Sequence, residues 1–226
     1  MLGQLKFDCR GRGRAEWSDL YGLTVLRSRT DPDGWLGERR LRRAGRSLWR
    51  GGVLRTLVPS GFHRWDLLEE YGLVRVDPVA FLRAQSLPLT LGALERQGMA
   101  PDRATVALRG LRADREMTRA AAQLCPRVRR LVISAPRGGR ELANWLRWEF
   151  GVPILPEEEP GEVALCFHPD KKRGEEHTLD LYGPEPNLGG LDVSAPELSE
   201  EDRADLPLLA VLWEGGKLQS DKLKIT

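Results

Sequence analysis

The chain has 226 residues, of which 41% are hydrophobic and 30% charged, and its formal net charge is +2 at pH 7. That length and balance suit one larger soluble α/β domain, or one such domain with small appendages. No apolar run reaches the roughly 18 residues that a membrane-spanning helix needs. The start, Met1 to Asp8, lacks a charged leader followed by an apolar stretch, which argues against a signal peptide. Cys9, Cys125 and Cys166 are odd in number and widely spaced, which argues against a disulfide framework. The expected location is therefore the cytoplasm, with no membrane partner.

The small net charge conceals an asymmetry. Residues 1–60 carry 13 Lys/Arg against 6 Asp/Glu, while residues 157–226 carry 7 against 17. The basic residues before Lys171 are all arginine except Lys6. A GC-rich coding sequence favours arginine whatever the function; the functional reading is an Arg-rich face for phosphate or nucleic acid. The acidic tail is expected to solvate the surface or to fold back on the basic body.

In chain order, residues 4–9 read as an edge strand, and residues 22–27 as the first strand of an α/β alternation. Residues 36–50 read as an amphipathic helix with Leu36, Leu41, Ala44, Leu48 and Trp49 as its apolar residues and Arg39, Arg40, Arg42, Arg43 and Arg46 on its wetter side. Gly51-Gly52 ends it. A second strand over 53–59, a short helix over 65–71 stopped by Gly72, and a third strand over 73–76 follow. Pro78 fits the first turn of a connecting helix over 78–98, with Pro88 kinking or dividing it.

A similar order then recurs: strand 104–109, helix 114–125 capped by Asp114, strand 128–134, helix 139–150, strand 152–155. Short motifs recur with it. Thr24-Val25-Leu26-Arg27 matches Thr105-Val106-Ala107-Leu108-Arg109, and Glu70-Tyr71-Gly72 matches Glu149-Phe150-Gly151. The reading is a doubly wound, mostly parallel Rossmann-like sheet built from two β-α-β-α-β pseudo-repeats, with strand order 3-2-1-4-5-6. The competing arrangement is two separate α/β lobes. By segment, 1–20 is an N-terminal edge piece, 21–77 the first half, 78–103 the connector, 104–156 the second half, and 157–226 an acidic appendage. In that appendage 163–167 and 177–182 read as a β-hairpin around the charged run His168 to Gly174, and a helix follows near 206–213.

A doubly wound sheet binds ligands beyond the carboxyl ends of its strands. Arg27 and Arg29 are expected after the first strand, Arg109, Gly110 and Arg112 after the fourth, and Arg137, Gly138, Gly139 and Arg140 after the fifth. Arginines beside exposed N–H groups at a helix start would hold a phosphate or carboxylate. The dinucleotide fingerprint and the phosphate-loop motif are both absent, which disfavours a conventional NAD or ATP site and leaves the cofactor unknown. Cys166, His168 and His177 make a weak case for metal, and none is assigned. Asp31 and Asp33 read as turn residues, with acid–base chemistry as the alternative. No nucleophile motif stands out.

The leading expectation is a small anionic ligand at an Arg-lined crevice. The alternatives are a non-catalytic interaction protein, with homodimerisation through apolar helix faces, and nucleic-acid binding by the basic N-terminal part, which carries no RNP, zinc or helix-turn-helix signature. Trp145 and Trp148 share a helix face and read as core or subunit contact.

Overall fold

The computed structural model describes residues 1–169 and 177–226. The chain divides into two compact units, one formed by Met1–Asp77 with Asp205–Gln219, the other by Pro78–Ala204 with Ser220–Thr226. Both are α/β with mostly parallel sheets.

The first unit contains strands β1 (Leu2–Phe7), β2 (Arg12–Leu20), β3 (Leu23–Thr30), β4 (Arg55–Leu57) and β5 (Val74–Arg75), and helices α1 (Gly37–Arg50) and α2 (Trp65–Glu69). Its five strands lie in the order β2-β3-β1-β4-β5. Only the β2–β3 pair is antiparallel. Helix α1 forms because Gly37, Leu41, Ala44, Gly45 and Leu48 fall on one face and are buried. That face packs with Leu5, Leu26, Val53, Leu68 and Leu73 into one core. Truncating a leucine as fully buried as Leu48 to alanine typically costs about 2–5 kcal/mol.

The second unit contains α3 (Val79–Ala84), α4 (Ser86–Arg96), β6 (Thr105–Arg109), α5 (Arg115–Leu124), β7 (Arg130–Ser134), α6 (Gly139–Phe150), β8 (Ile154–Leu155), β9 (Val163–Cys166), β10 (His177–Asp180) and β11 (Val193–Ser194). Helix α7 (Leu206–Glu214) belongs to the first unit, and β12 (Lys224–Ile225) returns to the second. The second sheet is wholly parallel, in the order β10-β9-β6-β7-β8. Every residue of β6 and of β9 is buried, as expected of strands covered on both faces.

Three expectations are corrected. The six strands do not fuse into one sheet of order 3-2-1-4-5-6; among the described residues they fall into two separate five-stranded sheets. Residues 4–9 do not pair at an edge with the appendage, because β1 is the central strand of the first sheet and β2, unread in the sequence, is an edge. Residues 163–167 and 177–182 do not form a hairpin: β9 and β10 run parallel, Val163 opposite His177 and Cys166 opposite Asp180. The antiparallel pair at the C-terminal end is instead β11 with β12. The charged run from Asp170 to Gly174 lies outside the described residues.

The insertion of β1 also alters the relation between the halves. β6 lies directly beside β7, whereas β3 is separated from β4 by β1. By sheet position β1, not β3, is the counterpart of β6. The matching of Thr24-Val25-Leu26-Arg27 with the β6 sequence therefore does not carry over to the sheet. The connector divides at Gln85 rather than Pro88, and Pro88 lies in the first turn of α4, where its missing N–H costs little.

Cys125 is buried at the end of α5, and burial pushes its thiol up to about 11 from 9.0. Because the raised group stays protonated only in the folded chain, its contribution is intact below pH 9 and declines as pH rises from about 9 to about 11. The expected loss over that window is on the order of 2 kcal/mol, read as a falling urea midpoint that Cys125→Ala flattens. In native protein at neutral pH, exposed Cys9 should alkylate while Cys125 and Cys166 stay protected.

Candidate anion-binding surfaces

In the second unit, the loops after β6 and β7 meet. Gly110 N–H donates to Ser134 O at 2.9 Å, Ala113 N–H to Arg137 O at 2.8 Å, and Arg112 forms an isolated parallel bridge with Arg137. Arg112, Gly110, Arg137, Gly138, Gly139 and Arg140 thus come to one end of one sheet. Arg112, Arg137 and Arg140 are exposed, and their guanidinium groups have no carboxylate partner among the described residues. Gly138 takes the left-handed conformation, φ 77°, as the N-cap of α6, and no side chain caps that helix. Helix α5 starts beside it, with the Asp114 carboxylate accepting from Met117 N–H at 2.9 Å.

Arg109 differs from its neighbours. It is buried, and it donates toward the carbonyls of Glu157 and Glu159 at 3.4 Å each, which makes it a support for the segment before β9. Arg27 and Arg29 belong to the other unit and lie within β3, which extends to Thr30. Arg27 Nε donates to Gln4 Oε1 at 2.7 Å and Arg29 faces Glu16 at 3.6 Å, so both have local partners. The sheet that was to bring them to Arg109 and Arg112 is not formed.

The remaining candidates have local roles. Asp31 pairs with Arg40 and accepts from Asp33 N–H, the arrangement of a turn. The parallel register sets His177 opposite Val163 while Cys166 faces Asp180, so His177 lies three residues along the sheet from Cys166. Trp145 and Trp148 are not core: Trp148 is 91% exposed, and Trp145 meets Phe150 edge-on at 5.7 Å.

A concave basic surface lies elsewhere, in the first unit. A groove of about 720 Å³ runs between α1 and the start of β2. Its lining from α1 includes Arg39, Arg43, Arg46 and Arg50. At about 100° per residue these four stay within roughly 60° of one another, opposite the buried face of the helix. Successive members stand three or four residues apart, about 4.5–6 Å along the axis, and the stripe spans about 16 Å. Arg12 and Arg14 line the other side.

Local sequence explains that second wall. β2 has a register irregularity between Arg12 and Ala15, and Gly13 adopts φ 68° there. A Cβ at Gly13 would stand 3.0 Å from Arg40 O and 3.1 Å from Ala44 N, so only glycine permits so close an approach to α1. Ala15 N–H then donates to Ser47 Oγ at 3.0 Å, which fixes the strand on the helix.

Two arginines of the groove are already neutralised, Arg40 by Asp31 and Arg42 by Glu38 and Glu70. The Arg42 guanidinium, chiefly through its hydrogen bonds, holds the Glu70 carboxyl below its ordinary range. Arg46 lies over the Tyr71 ring at 5.9 Å. Arg12, Arg14, Arg39, Arg43 and Arg50 are exposed and have no carboxylate partner among the described residues. No acidic residue or histidine lines the groove. It offers charge and N–H donors, without a group to take or give a proton at neutral pH.

The spacing of residues 39, 43, 46 and 50 is readable in the sequence. The sequence reading puts Arg39, Arg40, Arg42, Arg43 and Arg46 on that face without Arg50, and does not reveal the strand that makes it a groove.

No family model matches this chain, and no curated protein matches it. Among solved structures it is similar to an L-tryptophan dehydrogenase from Nostoc punctiforme, at 13% identity and a TM-score of 0.34 over 73% of this chain. The match spans 55% of that enzyme's chain.

Proposed function

We propose that this protein binds an anionic ligand, phosphorylated or carboxylated, and that the groove between α1 and β2 is where it does so. The observation that carries the reading is the stripe of Arg39, Arg43, Arg46 and Arg50 facing Arg12 and Arg14 in a concave surface without acidic lining. None of these six has a carboxylate partner among the described residues, Arg46 lying instead over the Tyr71 ring. Like charges kept this close repel one another, and a bound anion relieves that repulsion. Guanidinium groups suit phosphate and carboxylate oxygens because they donate two parallel hydrogen bonds. The reading is of a binding protein.

The strand-end arginines Arg112 and Arg137 of the second unit are the competing place for the same chemistry, favoured by the adjoining start of α6. Calorimetry with inorganic tripolyphosphate and with citrate at low salt separates the two. Arg43→Glu/Arg50→Glu should weaken binding at least tenfold, and Arg112→Ala/Arg137→Ala should leave it unchanged. The opposite pattern would move the site to the second unit, and binding untouched by either pair would remove the proposal.

A further inference from the structure

Resting on that reading of the groove, we infer that its ligand is a single-stranded nucleic acid, with the phosphate chain along the arginine stripe and bases on the flanking tryptophans. Two observations distinguish this ligand from a compact anion. The first is length. The stripe extends about 16 Å with a charge at every helical turn, whereas one phosphate or carboxylate group is met by one or two guanidinium groups. A repeating anion occupies all four positions, and a sugar–phosphate chain repeats on this scale.

The second observation is the placement of exposed aromatics. Trp49 lies on α1 between Arg46 and Arg50 in sequence, rotated about 100° from Arg50 toward the side away from Ser47 and β2. It is 55% exposed. Trp35 immediately precedes the groove residue Leu36 and is 92% exposed. Trp17, on the same strand as Arg12 and Arg14, is 60% exposed. None of the three lines the groove itself; they lie on the elements that carry it, α1 with its approach and β2. Leaving three indoles exposed there is unfavourable unless something covers them, since each leaves a large apolar area in water. Nucleobases cover them by stacking, and a basic track edged by aromatics is the surface that single strands use.

The same two features disfavour the other linear polyanions. Inorganic polyphosphate and sulfated polysaccharide match the charges but present no π face to Trp49. A duplex has its bases stacked on one another already, so only their edges are open in the grooves and no base face is free to stack on an indole. A flat membrane surface does not enter a groove.

The test is fluorescence anisotropy of a short labelled oligothymidylate, and of the matching oligouridylate, on the intact protein. The unlabelled competitors are inorganic polyphosphate, heparin and a duplex of equal length. The single strands should bind at least about tenfold more tightly than any of these at equal salt. Engagement of four phosphates gives a plot of log affinity against log salt with a slope of about −3. Trp49→Ala, a surface change whose melting temperature serves as the folding control, should cost about tenfold for the single strand and nothing for polyphosphate.

If polyphosphate or heparin binds as tightly as the oligonucleotide, and Trp49→Ala changes neither, the inference is overturned while anion binding stands. If a duplex is preferred, the stacking assignment is wrong. If no anion binds at low salt, both readings fall together.

Discussion

Arg83→Met should destabilise the second unit by about 3–4 kcal/mol, the largest expected effect of a single polar change in the molecule. Its side chain is only 13% exposed. From α3 it donates to Leu181 O at 2.9 Å through Nε, to Phe167 O, and to Glu116 Oε2 at 2.6 Å, with Asp114 at 3.9 Å. Its guanidinium also lies 5.5 Å from the Phe167 ring centre. One side chain therefore ties the carboxyl ends of β9 and β10 to the start of α5. Methionine keeps the stem and removes every donor, leaving two backbone carbonyls and a carboxylate without their partner in a partly desolvated place.

Hydrogen exchange reads this directly. Amides of β9 and β10 should lose protection by some two orders of magnitude or more, while amides of α1 and β4 in the first unit change little. Arg83→Lys should recover part of the loss, because an ammonium reaches one acceptor but cannot span three. Unchanged protection in β9 and β10 would show that the strand ends are held by packing alone.

The contrast between what was legible and what was not follows from where each strand lies. Residues 104–155 are readable almost element for element, because β6 and β7 are short apolar runs that alternate with strongly patterned helices. Asp114 announces α5 by its cap, and the Asp114 to Met117 bond is present. β1 is central yet poorly legible, since Gly3, Gln4 and Lys6 interrupt its apolar pattern. Gln4 is there because it accepts from Arg27, a partner that local sequence does not reveal. The reading of β9 and β10 as a hairpin fails for a different reason. Turn-forming residues between two strands suggest antiparallel pairing, but Val163-Ala164-Leu165-Cys166 is apolar without alternation. That run marks a strand covered on both faces, which is the habit of parallel sheets.

The candidate site divides in the same way. Gly110, Arg112 and Arg137 to Arg140 are legible as a group because they follow adjacent parallel strands, and β6 and β7 do lie side by side. Joining Arg27 and Arg29 to them requires one continuous sheet, and the insertion of β1 and β2 gives the first unit its own edge and centre instead. The arginine face of α1 is legible from helical spacing alone. Its conversion into a groove depends on Arg12 and Arg14, eleven and nine residues before β3 begins and brought over α1 by a bulge. Pairing partners distant in sequence, not residue type, are what the local pattern lacks.

That bulge makes Gly13→Val the second large effect, and one that couples the fold to the groove. Valine disfavours the φ of 68° that Gly13 adopts, at a cost of about 1–2 kcal/mol or more for a β-branched side chain. Its Cβ would also meet the α1 backbone at Arg40 O and Ala44 N, at 3.0 and 3.1 Å, and its two methyl groups would need further room. The strand must lift, which breaks the Ala15 to Ser47 hydrogen bond and moves Arg12 and Arg14 away from the stripe. The combined loss should be about 3 kcal/mol in the first unit, and tripolyphosphate binding should fall with it. Gly34→Val separates the two causes. Gly34 has a similar φ of 75° with nothing within 4 Å of a built Cβ, so it carries the conformational cost without the clash. Urea melts should show a smaller loss for Gly34→Val, with binding at temperatures below its transition preserved. Equal losses of stability and binding in the two variants would mean that the approach of β2 to α1 contributes nothing, and the groove would lose its second wall as a physical argument.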